Sequence, residues 1–193
     1  MRAAVAASHA LAFILLPPPV ARFQLRAYGL ALLRRDRWSL RSATKPRELR
    51  MLVRLARGRA RVVEIGTGTG WTAASLALAD PRRGVLTLDP IRRPGRDAYL
   101  ALCAPAARSR VELAGADPPA AGEPIDLLFV DGSHGAASVI DAFRTWRPRL
   151  APGAVVAFHD WANPAHPGVR EAIETLGLAG RGAGDLYVWR AAR

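Results

Sequence analysis

The sequence predicts a doubly wound α/β sheet, mostly parallel, with helices on both faces. Three observations carry this reading. Short apolar runs recur between residues 62 and 158, and helical stretches separate them. Such uninterrupted apolar runs suit strands buried on both faces of a parallel sheet, and their alternation with helices is the α/β pattern. The first run also ends in a glycine-rich turn that opens a helix. Open α/β sheets receive ligands at the carboxyl ends of their strands, near such a turn.

Taken in order, the first well-signalled element is a helix over residues 45–57. Thr44 can cap it, Pro46 suits its first turn and Gly58 can end it. Leu49, Leu52, Val53 and Ala56 form one apolar stripe at helical spacing, with Arg47, Arg50, Arg54 and Arg57 largely off it. Strands follow at Val62–Ile65, Val85–Leu88, Val111–Leu113, Ile125–Val130 and Ala154–Phe158. Helices follow at Trp71–Ala79, Asp97–Leu102, Ser138–Trp146 and Val169–Leu176. The end, Asp185–Arg190, reads as an antiparallel last strand, hairpinned with Leu178–Arg181 through Gly182 and Gly184. Residues 17–44 are mixed and carry no assignable pattern.

The chain of 193 residues fits one domain, and its 50% apolar content can fill a core. Cys103 is the sole cysteine, so neither an internal disulfide nor a multi-cysteine metal site is available. No apolar run reaches the roughly 20 residues of a membrane helix. Of 28 basic residues only Lys45 is a lysine, a skew that fits GC-rich coding. The charge is unevenly placed. Residues 1–61 hold 14 basic residues against Asp36 and Glu48, which accounts for the whole net charge of +12, while residues 62–193 balance 14 against 14. The expected division is a basic N-terminal arm, 1–44, ahead of a domain at 45–193.

A basic arm can meet nucleic acid, an anionic lipid surface or an acidic partner, or be a solvated helix face packed on the body. The lack of a recognised binding module disfavours nucleic acid. Arg2 and the apolar stretch Ala3–Leu16 imitate a secretory signal, but Ser8 and His9 interrupt it and Pro17-Pro18-Pro19 stand where small residues would mark cleavage. A short helix stopped by the prolines, on the body or on a membrane surface, is the preferred reading, with a start codon further downstream also open. The expected location is cytoplasmic, and a homodimer stays open.

The strongest motif is Val62-Val63-Glu64-Ile65-Gly66-Thr67-Gly68-Thr69-Gly70-Trp71. Glycine lets backbone approach a ligand closely. A dinucleotide fingerprint would need its third glycine at position 71, where Trp71 stands, and a bulky indole there argues against NAD. The pattern E-x-G-x-G-x-G, followed by an acid after the second strand, resembles the class I methyltransferases. That resemblance implies a Rossmann-like fold and S-adenosylmethionine as cofactor, held by the loop of Glu64, Gly66, Thr67, Gly68, Gly70 and Trp71. Glu64 is expected to anchor the loop. Asp89 matches the ribose-binding acid. Asp117 corresponds to a position that often holds the adenine edge, although Pro118 and Pro119 also suit an ordinary loop.

Two later segments resemble the family's fourth-strand and fifth-strand motifs: Asp126–His134, containing D-G-S-H, and Leu150–Trp161, containing H-D-W. The pair is similar to a branch related to catechol-type and antibiotic-pathway O-methyltransferases. The resemblance implies Asp131 as an acid at the cofactor and His134 as the base that takes a hydroxyl proton, a task suited to histidine. His134 as a loop or helix-cap histidine stays open. His159 reads as a second base or as a core histidine. Relatives of the branch bind a divalent cation such as Mg²⁺; here Asp131 and Asp160 match two of the ligands, Trp161 replaces an asparagine, and Asn163 substitutes only if its loop folds back. Equally, Asp160 orients His159 or His134. Trp146, Trp161 and Trp189 wall an aromatic pocket or belong to the core. The expected acceptor is a small-molecule hydroxyl. RNA or protein methylation with the arm as docking surface is the alternative, disfavoured by D-G-S-H where RNA-directed relatives carry N-P-P-Y, and a non-catalytic cofactor-binding protein is the other.

Overall fold

The computed structural model describes Phe13, residues 15–120 and residues 122–192. Its centre is a seven-stranded sheet: β1 (Arg61–Ile65), β2 (Gly84–Leu88), β3 (Val111–Ala114), β4 (Ile125–Val130), β5 (Leu150–Phe158), β6 (Arg181–Ala183) and β7 (Leu186–Arg190). The order is β3-β2-β1-β4-β5-β7-β6, with β1 to β5 parallel and β7 antiparallel to β5 and β6. The doubly wound, Rossmann-like expectation holds, and every expected strand of the body is present.

Neighbouring residues of each central strand feed opposite faces, as the pleat requires. Val62, Leu127, Phe129, Val155 and Ala157 enter one cluster, and Val63, Leu128, Val130, Val156 and Phe158 enter the other. The first face is covered by α1 (Pro18–Leu33), α3 (Pro46–Leu55) and α4 (Trp71–Ala79), while a short helix, α2 (Arg37–Ser42), follows α1. Two short helices, α5 (Arg96–Leu100) and α6 (Pro105–Arg108), add Tyr99, Leu100 and Ala107 to that cluster. The second face is covered by α7 (Ala136–Trp146) and α8 (Pro167–Thr175).

The basic segment is structured where it can be described. Val20, Phe23, Gln24, Ala27 and Ala31 of α1 are buried at helical spacing, against α4. Gln24 donates to Ser75 Oγ at 2.8 Å, which satisfies the one polar group on that face. Leu25, Leu32 and Leu33 point outward and are exposed. The helix expected over 45–57 forms at 46–55, with all four residues of its predicted stripe buried. Its start differs from expectation. Lys45 is the cap residue, Glu48 accepts its amide at 3.1 Å, and Thr44 instead hydrogen-bonds Thr72 at 2.9 Å. The C-terminal hairpin is also shifted. Gly182 lies inside β6 opposite Tyr187, and the turn falls at Gly184, φ +61°, and Asp185. The stretch Ala3–Leu16 lies mostly outside the described residues. No described helix is long and apolar enough to cross a membrane.

Arg83 shows how the basic residues can serve the fold itself. Its buried guanidinium donates to the carbonyls of Arg59 and Leu76 at 3.0 and 2.7 Å, and also to that of Ala56 at 2.5 Å. One cation thereby ties carbonyls after α3 to one within α4.

Because Phe23 is 2% exposed within the first cluster, Phe23→Ala is expected to lower unfolding stability by about 3–5 kcal/mol. Chemical denaturation measures it, and a loss below about 1 kcal/mol would contradict the packing of α1 on the body.

Candidate active site

Register places the site. Ile65 pairs with Leu88 and with Val130, and Val130 pairs with Phe158, so four parallel strands end in one row. The next residues, Gly66, Asp89, Asp131 and His159, emerge side by side, and their amides donate back to the adjoining strands. A cleft of about 740 Å³ opens above this row, within the range of small-ligand sites.

Gly66 is where the row is tightest. Its φ is +101°, and a Cβ would fall 2.2 Å from the carbonyl oxygen of Asp131. Only glycine permits that approach. Gly68, φ +52°, carries the ring of Trp38 above it, 3.0 Å from where a Cβ would lie. Trp38 belongs to α2, which Ser39 ties to Thr69 at 3.1 Å, and the Arg93 guanidinium lies over its ring at 4.4 Å. Asp36 caps α2 by accepting from the amide and hydroxyl of Ser39, and it also accepts from Tyr99 at 2.7 Å.

The loop rests on a buried hydroxyl chain. Thr87 donates to Glu64 at 2.5 Å, and Thr67 in turn bonds Thr87 at 2.8 Å. Glu64 is 1% exposed and lies beneath the loop, outside the cleft lining. Burial pushes its pKa up to about 8, against the opposing bond from Thr87. Asp89 accepts from the amides of Gly68 and Ile91 at 2.9 and 2.8 Å and faces the cleft. The Trp71 indole N–H is buried without an acceptor, and its ring lines the cleft. Asp117 is exposed in the bend after β3, while its neighbour Ala116 reaches the cleft lining.

The other wall is a cluster of histidines and carboxylates. His159 is 8% exposed and is met from three elements: Glu48 of α3 at 3.0 Å from Nε2, and Asp131 and Asp160 at 3.0 and 3.1 Å from Nδ1. The Nδ1 contacts are off the N–H direction, so they are ion-pair contacts rather than aligned hydrogen bonds. Burial alone would lower the His159 pKa, but the three carboxylates outweigh it and push it up to about 12. Burial conversely raises the Asp131 pKa. Asp160 is held well below the usual carboxylate range, its burial being outweighed by His134, His159 and Asn163.

His134 stands in a different setting. Its Nε2 lies 2.9 Å from Asp160, and its side chain keeps 32% exposure at the cleft. Its ring stacks on His166 at 3.9 Å. The loop after β5 does fold back: Asp160 adopts φ +58°, and Asn163 Nδ2 donates to Asp160 Oδ1 at 2.7 Å. The Ala165 amide donates to Asn163 Oδ1 at 3.0 Å, which fixes the amide with its NH₂ group toward Asp160.

The three tryptophans considered as pocket walls lie elsewhere. Trp146 is 3% exposed in the core, Trp189 packs edge-on against Phe143, and Trp161 packs against Tyr187 under Arg170. The aromatic walls of the cleft are Trp38 and Trp71. Trp38, Glu48 and His166 had no signal in the sequence, since each reaches the site through tertiary packing.

Residues 63–161 match the family described as Methyltransferase domain. No curated protein matches the chain. Among solved structures it is similar to the O-methyltransferase TomG from Streptomyces achromogenes, involved in tomaymycin synthesis and solved with SAM: 22% identity over 78% of this chain and 81% of that one, TM-score 0.60. It is similar to cofactor-bound Rv0187 from MTB, with 22% identity, coverage of 87% and 90%, and TM-score 0.68. It is also similar to an O-methyltransferase from Bacillus cereus in complex with SAH, with 15% identity, coverage of 92% and 91%, and TM-score 0.65. At these identities the likeness is one of fold.

Glu64→Gln tests the buried acid. An acid whose folded pKa is raised holds its proton longer when folded, so its burial costs stability as pH rises from its ordinary value of 4.5 to about 8. Denaturation of both proteins across that range is expected to show the variant gaining on the wild type with rising pH. A constant difference would contradict a buried, protonated Glu64.

Proposed function

The chain belongs to the methyltransferase family, and on that premise we propose that it transfers a methyl group from S-adenosylmethionine to a hydroxyl oxygen of a small molecule. The observation that carries this reading is the shared cleft, with the glycine loop and Asp89 on one wall and His134 backed by Asp160 on the other. The similar structures solved with SAM, SAH or bound cofactor support the donor, and the O-methyltransferases among them support an oxygen acceptor.

The residues fit the donor. Gly68 leaves the loop bare of side chain at the cleft, Trp71 offers a buried N–H with no acceptor, and Asp89 keeps lone pairs free for ribose hydroxyls. When bound, the sulfonium supplies an activated methyl and leaves as a thioether. The chain's own residues do the rest. The loop and Asp89 hold the donor in line with the acceptor, and such alignment can supply several kcal/mol. His134 takes the hydroxyl proton as the oxygen–methyl bond forms. Asp160, whose carboxylate lies 2.9 Å from Nε2, stabilises the imidazolium that results. His159 is assigned a structural part, because a histidine held as a cation cannot accept a proton.

Mg²⁺ fits less well. It prefers a near-octahedral set of oxygens. Between Asp131 and Asp160, however, stands the His159 ring, and the other Asp160 oxygen carries the Asn163 NH₂ group. The proposed reaction contains no step through that cation.

Calorimetry with the donor is expected to show no binding by Gly68→Arg and at least ~tenfold weaker binding by Asp89→Ala, from the loss of charge-assisted hydrogen bonds. Unchanged affinity in both would overturn the donor site. Labelled donor offered with a panel of small hydroxyl compounds tests the acceptor class. His134→Ala is expected to lower turnover by about 10²–10⁴ with donor affinity kept, and full activity would remove His134 as base.

A further inference from the structure

We propose that His134, His166 and Asp160 form a binding site for a borderline transition cation such as Zn²⁺ or Co²⁺, one that shares Asp160 with the Asp131–Asp160 pair but does not use Asp131. One ligand atom from each of the three residues lies within 4.8 Å of the others. The two imidazoles stack nearly parallel, 17° apart, with ring centroids at 3.9 Å. His134 Nε2 is shielded from solvent and makes no aligned hydrogen bond, although Asp160 Oδ2 is 2.9 Å away. A shielded nitrogen beside a carboxylate oxygen, with no partner in line, is an available ligand atom.

The two loops that carry these residues are fixed against each other. His134 sits between β4 and α7, and His166 is the residue that precedes α8. A Cβ on Gly168 would fall 2.6 Å from the His134 carbonyl oxygen, so the backbones touch there. The His166 amide donates to the Asn163 carbonyl at 3.0 Å, and Asn163 in turn holds Asp160. The three side chains therefore reach the site from braced backbone, and bonds of about 2.0–2.2 Å require one imidazole to tip out of the stack so that both nitrogen lone pairs meet at the ion.

Donor chemistry selects the ion. Two imidazoles and one carboxylate suit zinc and its late first-row neighbours rather than Mg²⁺ or Ca²⁺. Three protein ligands leave at least one position open toward the cleft, as in zinc sites that admit water or substrate. The Asp131–His159–Asp160 group differs, because it offers one imidazole against two carboxylates and its His159 is nearly sealed from solvent. Coordination at His134 Nε2 leaves the ring's proton on Nδ1. A loaded site and a His134 that accepts a proton therefore exclude each other, while the site itself stands whichever acceptor the cleft takes.

Titration of Co²⁺ into the metal-free full-length protein, followed by visible d–d absorption, tests the site. One equivalent is expected to bind the wild type. His166→Ala is expected to weaken binding at least ~tenfold, with donor affinity by calorimetry unchanged as the check on folding. If His166→Ala loses the donor as well, His166→Gln takes its place under the same criterion. A wild type that binds no Co²⁺, or variants that bind it as tightly as the wild type, would overturn the proposal, the second result moving the ion to the Asp131 group. Loss of the donor site in Gly68→Arg, with Co²⁺ binding intact, separates this site from the methyl-transfer reading.

Discussion

The site depends on the common register of four parallel strands. Ile65, Leu88, Val130 and Phe158 lie in one hydrogen-bonded row, so the residues that follow them meet along one edge. A slip of one residue in any strand would turn its following side chain away, because side chains alternate across a sheet. Gly66 locks the row by pressing its backbone on the Asp131 carbonyl, where no Cβ can stand. The close approach explains why a glycine loop and an acid 65 positions later serve one cleft.

A buried cation then organises the second wall. His159 gathers Glu48, Asp131 and Asp160 from α3 and from the ends of β4 and β5. Such a cluster is weak evidence for stability, since desolvating ions offsets much of their attraction. Its effect is positional. With Asp160 held between His159, His134 and Asn163, its carboxylate is ionised and fixed in place. The two histidines thereby divide the work in the proposed reaction: one is a fixed charge, and the other remains at the cleft.

Most of the body could be read from the sequence because parallel strands buried on both faces are simply apolar runs, as in Ile125–Val130. The glycine loop was legible because its shape demands its residues. Helix α1 was not, because its buried face holds two alanines and Gln24 while Leu25, Leu32 and Leu33 are exposed, which blurs any apolar stripe. Glu48 stands at the start of α3, accepting from the Lys45 amide while also reaching His159. A side chain with two such roles 111 residues apart leaves no local pattern. Trp38 comes from a six-residue helix with no motif, and only the fold lays it over Gly68. Of the two readings open for Trp146, Trp161 and Trp189, the packed one holds: Trp146 is buried, and Trp161 and Trp189 lie partly buried against the second cluster.

The central claim is that one cleft holds the methyl donor against the glycine loop with its reactive centre toward His134. A crystal structure with the spent donor, S-adenosylhomocysteine, tests it most directly. The account predicts ribose hydroxyls on Asp89 and the thioether sulfur facing His134. A ligand bound elsewhere, or one whose sulfur faces away from His134, would contradict it.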